Sequence, residues 1–313
     1  MAEIDAITPE QRLWYKLSFE LKVSRSYGIQ FQDFFSTVME KYHGTDFVRI
    51  RAFGSLGDKG CDGYVQSTGA TYQCFGKSHD SSVNVQKLVD KVGDDYATAA
   101  THLNSIMKEW HFAHNLVDGL PVNVVQKIEL LRSDNPHHKF GLIGPSGLEV
   151  LVLQLSPDDL HPLLGPAATA EDTRNLQLEE VRDLIQNLMA KIDAKPNISG
   201  PITPVPTTKL EFNKLPAHWV GLIRLGMQNA GYVQQYIDEH RDPEVGERLA
   251  KIFGDQYRTL KLEGLAPVAI MNSLYERVTG VGSVTAQRQV AAQALLSHLF
   301  ESCDIFEDKP FAR

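Results

Sequence analysis

Two stretches of this sequence bring together the residue types needed to hydrolyse a phosphodiester. The first is Gly57-Asp-Lys-Gly-Cys-Asp-Gly-Tyr64, the second Tyr72-Gln-Cys-Phe-Gly-Lys77. Cleaving such a bond with water calls for a divalent metal that polarises the phosphate and lowers the pKa of a bound water. Hard oxygen ligands hold an ion of that kind, and a cation offsets the charge that develops in the transition state. Asp62 offers a carboxylate, Gln73 an amide oxygen and Lys77 an ammonium. Asp58 reads as a loop cap or a supporting group rather than a direct ligand, because Asp and Gly also favour turns for purely local reasons.

Strands are expected to position these groups. Phe47-Val-Arg-Ile-Arg-Ala-Phe53 alternates like a half-buried strand. A second strand is expected over Asp62–Ser67, a turn at Thr68-Gly69 and a third strand over Ala70–Lys77. Residues two apart on a strand share a face. Gln73, Phe75 and Lys77 should therefore point one way, with Tyr72, Cys74 and Gly76 the other way, which puts Gln73 and Lys77 beside Asp62 in one cleft. Helices are expected over 8–24 and 31–42, the latter with Phe31, Phe34, Phe35 and Val38 on one face. A long helix follows over 83–109, and Trp110-His-Phe-Ala-His114 reads as a fourth strand. The order is helix, three strands, helix, strand.

Composition narrows the class. Apolar residues make up 42% and charged residues 22%, an ordinary globular balance. The net charge of −8 is the wrong sign for a protein held on DNA by bulk electrostatics alone. Cations are frequent early in the chain, among them Lys41, Arg49, Arg51, Lys59 and Lys77, but acidic residues interleave with them and favour a solvated face. Cys61, Cys74 and Cys303 show neither a disulfide framework nor zinc spacing, which suits a reducing cytoplasm. Neither a signal peptide nor a membrane-spanning run is read. His111 and His114, three apart on a strand, should face opposite ways and carry structural roles, as should Asn115. His137-His138 reads as an exposed turn, and Cys303-Asp304 as a core or interface element. No GxxxxGK[ST] motif is present, so this chain is not itself an ATPase.

Four prolines between Pro196 and Pro206 mark a linker. The expected domains are residues 1–165, a connecting helix and linker over 166–208, and an all-helical domain over 209–313. Within the last, Leu222, Leu225, Val233 and Tyr236 show helical spacing, as do Val245, Leu249, Ile252 and Phe253. The chain ends near Leu299, Phe300, Ile305 and Phe306, large apolar anchors that are either packed home or presented to a partner.

Gly57-Asp-x-Gly-x-Asp62 followed by a strand with Gln73 resembles the Mrr-type restriction endonuclease pattern of the PD-(D/E)xK nucleases, whose core has the same element order. The resemblance implies an α/β restriction-endonuclease-like N-terminal domain, a mixed sheet flanked by helices, followed by an all-α C-terminal domain. It implies a Mg²⁺ (or Mn²⁺) site in which Asp62 and Gln73 bind the metal. Phe75 stands at the family's lysine position, which leaves Lys77 as the nearest cation expected on that face. Gln32 of Phe31-Gln32 stands where the family often has a glutamate. In this reading Asp62, Gln73, Lys77, Gln32 and Asp58 form the site.

Other segments resemble effectors of ABC-three-component conflict systems, the group that includes Lamassu. They are Trp110-His-Phe-Ala-His-Asn115, Asp118-Gly-Leu-Pro121, Leu163-Leu-Gly-Pro166, Lys209-Leu-Glu-Phe-Asn213, Phe253-Gly-Asp-Gln-Tyr257 and Phe300-Glu-Ser-Cys-Asp-Ile-Phe-Glu307. That resemblance implies a DNA endonuclease effector in anti-phage or anti-plasmid defence. Its implied partners are DNA, an SMC-like ABC ATPase that holds it in check and a further accessory subunit, with homo-oligomerisation on activation and no membrane. The alternative is a degenerate nuclease fold serving as a DNA-sensing or scaffold subunit of the same complex.

Overall fold

The computed structural model describes residues 7–51, 59–78, 83–190, 208–302 and 305–307. The chain divides into two compact units, residues 19–160 and residues 1–18 with 161–313. Asp58, Cys303-Asp304 and nearly all of the proline-rich linker lie outside the described residues.

Residues 19–160 form a mixed α/β unit. Helix α1 (Pro9–Arg25) leads into it and α2 (Ile29–His43) follows. Then come β1 (Phe47–Arg49), β2 (Gly63–Val65), β3 (Ala70–Phe75), α3 (Val85–His102), β4 (Glu109–His114), α4 (Val122–Asp134), β5 (Lys139–Ile143) and α5 (Pro145–Val152). The sheet order is β1-β2-β3-β4-β5. The first three strands are antiparallel neighbours, while β3, β4 and β5 run parallel. Parallel neighbours need a crossover, which α3 and α4 supply. The expected order of helix, three strands, helix and strand is present, and α4 and β5 extend it beyond what the sequence pattern indicated.

Two apolar layers hold the sheet. On one face Phe31, Phe34, Phe35 and Val38 of α2 are buried as their spacing requires, and Phe35 meets Tyr72 at 5.6 Å between ring centroids. On the other, Trp110 and Phe112 of β4 pack with Leu88, Val92, Tyr96 and Ala99 of α3 and with Val124 and Ile128 of α4. Each such side chain contributes about 1.5–3 kcal/mol when fully buried. His138 departs from the exposed turn expected of it: it is buried, and its Nδ1 lies 2.9 Å from the Tyr96 hydroxyl. His137 is exposed.

The other unit is helical. It contains α6 (Pro157–Leu164) for the most part, α7 (Ala170–Arg174), α8 (Leu178–Met189), α9 (Thr208–Phe212), α10 (Ala217–Met227), α11 (Ala230–Glu239), α12 (Val245–Leu262), α13 (Pro267–Thr279) and α14 (Ala286–Glu301). Val290, Ala291, Ala292, Ala294, Leu295, Leu296, Leu299 and Phe300 of α14 are all buried, as are the polar Gln289, Gln293 and Ser297, so this helix is the core axis, buried on nearly every side. It packs against α8, α10, α11 and α13. Helix α10 approaches closely at Gly226, where a Cβ would come 2.2 Å from Ser297 Oγ. The helix expected to connect two domains is part of this unit. Val181, Leu184, Ile185 and Leu188 of α8 are buried, and α8 packs on α11 and α14.

Candidate functional site

Asp62 stands just before β2. The sheet register pairs Gly63 with Tyr72, yet the Asp62 N–H also donates to the Tyr72 carbonyl at 2.7 Å. Two residues thus face one, the pattern of a β-bulge, which re-aims the side chain it carries. The Asp62 carboxylate is almost fully buried, at 3% exposure. Gln32 Nε2 of α2 donates to Oδ1. The Cys74 N–H donates to Oδ2 at 2.7 Å. Burial first, then the Asp62 charge, pushes the neighbouring Cys74 thiol well above its ordinary pKa, so it is not a ready nucleophile.

Gln73 is equally buried. Its Oε1 has no hydrogen-bond partner among the described residues. Alternation along β3 sends Gln73 the same way as Phe75, and Phe75 packs against the α3 core with its ring 6.2 Å from Phe112. Asp62 is tied by Gln32 to α2, on the other side. What joins the two residues is therefore the peptide between Gln73 and Cys74, whose N–H holds Oδ2, rather than a shared face. The amide that meets Asp62 directly is Gln32. Phe75, at the position where a lysine was sought, is half-buried against the core.

Lys77 falls outside the strand expected to carry it, because β3 ends at Phe75. Its main chain is held instead by Asn115. The Lys77 N–H donates to Asn115 Oδ1 at 2.8 Å, and Asn115 Nδ2 donates to the Lys77 carbonyl at 2.9 Å. The same Nδ2 donates to the Ser26 carbonyl at 2.7 Å. The Lys77 ammonium forms no ion pair among the described residues. Three other early cations are occupied: Arg49 pairs with Glu40 at 2.7 Å, Lys41 with Asp159 at 2.7 Å, and Arg51 with Asp33. They form solvated ion pairs rather than an open basic patch.

The histidines of β4 have separate surroundings. His111 stacks on Tyr72 at 5.0 Å and its Nε2 lies 3.1 Å from Glu109, which also takes Lys139 at 3.0 Å. Hydrogen bonding from Lys139 outweighs burial and lowers the Glu109 pKa. Burial, then the Glu109 charge, pushes the Tyr72 hydroxyl up to about 12. His114 is 5% exposed, and burial pushes it down to about 4, so it is neutral at physiological pH.

No group of three or more His, Cys, Asp or Glu side chains able to hold a metal occurs among the described residues. Asp62 is the single carboxylate of the expected set that the structure describes. Sequence reasoning gave Asn115 a structural role, which its bonds fit. The part it missed is that the residue held is Lys77.

In the helical unit, the three segments singled out near the chain end meet one another. Lys209 is fully buried, donates from Nζ to the Phe300 carbonyl at 2.7 Å, and lies 4.7 Å from the centre of the Phe300 ring. Asn213 Nδ2 donates to the Lys209 and Glu307 carbonyls. Phe306 packs between Tyr257, at 4.7 Å, and Phe300, at 5.7 Å, its ring tilted to both. Leu299, Phe300, Ile305 and Phe306 are all buried, so these anchors are packed home.

Residues 179–307 match the family model of C-terminal domain 10 of the ABC-three component (ABC-3C) systems. The match runs from the first turn of α8 through α14. It supports membership of such a system, and with it the existence of partner subunits. The comparison with curated proteins gave no significant match, and neither did that with solved structures. Among the described residues no helix is long and apolar enough to cross a membrane.

Proposed function

We propose that this chain is the nuclease effector of an ABC-three-component defence system, a Mg²⁺- or Mn²⁺-dependent DNA endonuclease controlled by an SMC-like ABC ATPase. The mixed sheet, with its order of helix, three strands, helix and strand, is what a restriction-endonuclease-like domain requires. The observation that carries the reading is the bulged, almost fully buried Asp62 carboxylate, held by Gln32 and by the Gln73–Cys74 peptide, while the Gln73 oxygen, buried on the other side of the sheet, has no partner among the described residues. A buried acceptor without a donor costs about 1–3 kcal/mol and calls for an explanation.

The donor set suits a hard cation that keeps most of its waters. Mg²⁺ is commonly held by one or two carboxylates plus substrate phosphates; Asp62 would provide the carboxylate, while the Gln73 oxygen lies toward α3 and does not join it. When bound, such an ion would polarise the phosphate and acidify a water. Gln32 and Cys74 orient the Asp62 carboxylate. Lys77 supplies positive charge beside a phosphate. The helical unit is the part that joins the complex, as its family match suggests.

Phe75 and Gln32 favour a second reading. A half-buried phenylalanine packed on the core at the lysine position and an amide N–H donated to Asp62 are what a degenerate site would keep for stability. The chain would then sense DNA or act as a scaffold in the same complex. Plasmid cleavage with Mg²⁺, with and without the partner subunits, tests the choice. Cleavage that appears with the partners and vanishes with EDTA supports the enzyme; DNA binding without cleavage in every assembly supports the scaffold.

A further inference from the structure

Asn115 uses its whole side-chain amide on two main-chain segments. Oδ1 accepts from the Lys77 N–H at 2.8 Å, and Nδ2 donates to the Lys77 carbonyl at 2.9 Å and to the Ser26 carbonyl at 2.7 Å. Asn115 is itself anchored, since its N–H lies 3.3 Å from the Phe75 carbonyl, and it is 6% exposed. Lys77 needs such a clamp because β3 has ended at Phe75 and no ladder continues. The same segment is pressed from the other side. The Gly28 N–H donates to the Gly76 carbonyl at 2.9 Å, and a Cβ on Gly76 would stand 2.6 Å from the Gly28 nitrogen.

An amide is the group this position demands. Only Asn and Gln offer one acceptor and two donors on a planar group, and Gln is a methylene longer. Aspartate has the same shape, but its carboxylate would face two carbonyl oxygens. We propose that Asn115 is a positioning residue for Lys77: it fixes the main chain on both sides of Lys77 and locks it to the α1–α2 turn. The side-chain ammonium then leaves from a fixed point instead of a mobile strand end. This inference rests on the nuclease reading above.

The test uses the full chain in its assembled complex. Asn115→Asp should lower kcat of Mg²⁺-dependent cleavage by about 10–100-fold, the usual effect of losing a group that orients a functional residue. KM should stay nearly constant. In a Lys77→Ala background the same substitution should cost nothing further, because groups acting through one another are not additive. Asn115→Ala should speed amide exchange at the Lys77 N–H. Gly76→Ala displaces the same segment without touching Asn115 and should reproduce the kcat loss. Equal losses from Asn115→Asp with and without Lys77, or unchanged Lys77 exchange in Asn115→Ala, would overturn the positioning role while leaving the nuclease intact. A wild-type complex that never cleaves DNA overturns the nuclease reading, and this inference with it.

Discussion

The two units treat their buried polar side chains differently. In the helical unit these groups bond mostly to main-chain carbonyls of the same unit. Lys209 reaches Phe300, Asn213 reaches Lys209 and Glu307, Asn229 reaches Thr173, Gln289 reaches Pro166, and Ser297 reaches Ile223. The oxygens Gln256 Oε1 and Gln293 Oε1 are exceptions. In the α/β unit Asn115 likewise reaches the Ser26 and Lys77 carbonyls, but the Gln32 amide is spent on a carboxylate, Asp62, and the Gln73 oxygen on the other face has no partner among the described residues. Bonds from side chain to main chain fasten helices and explain themselves. A buried carboxylate oriented by an amide and a peptide N–H is fastened for something else.

That contrast breaks first at the helical core. Phe300→Ala removes the ring under Lys209 and beside Phe306, and should cost about 3–5 kcal/mol in urea unfolding. Phe212→Ala, at a side chain 41% exposed, should stay within about 0.5 kcal/mol. Equal effects at the two positions would mean that the Lys209–Phe300–Phe306 cluster is not the fastening described above.

A slightly smaller effect is expected from His114. Folded, it takes up a proton only near pH 4, against about 6.5 when unfolded. The unfolded chain therefore binds more protons in that window. Stability should be intact above pH 6.5 and fall as the pH drops toward 4, by on the order of 3 kcal/mol once complete. His114→Asn should flatten this part of the profile. An unchanged slope in the variant would assign the acid sensitivity to other groups.

The smallest effect sharpens the comparison at the site. Gln32→Glu replaces the amide N–H on Asp62 with a second carboxylate. Without a metal the two charges repel; with one they share it. Mn²⁺ affinity, followed by calorimetry, should rise about tenfold, roughly 1.4 kcal/mol. Lower stability with no gain in affinity would favour the degenerate site.

Much of the α/β unit was legible because its strands alternate and its helices carry one apolar face. Phe31, Phe34, Phe35 and Val38 are buried as their spacing required. The orientation of Asp62 was not legible. Alternation assumes an unbroken ladder, and the bulge before Gly63 turns the carboxylate toward Gln32. Lys77 was placed by the same assumption, which fails where β3 stops at Phe75. The connecting helix was misplaced for a different reason. An amphipathic stripe shows that α8 buries a face, but not against what, and the partner α14 lies about a hundred residues on in the chain. Deleting residues 209–313 would therefore strip α8 of its core and is a poor test of docking, whereas substitutions on the outer surfaces of α10–α14 would leave that core whole.

The most direct test of the central claim compares the wild-type complex with one carrying Asp62→Ala, in a plasmid-cleavage assay with Mg²⁺. A metal ion contributes several kcal/mol to the transition state, so losing its one described carboxylate should cut the rate by about 10³-fold or more. The variant should still assemble with its partners, with its thermal midpoint lowered by no more than a few degrees as the Cys74 N–H loses its acceptor. Wild-type cleavage rates in Asp62→Ala would place the chemistry elsewhere and contradict the site proposed here.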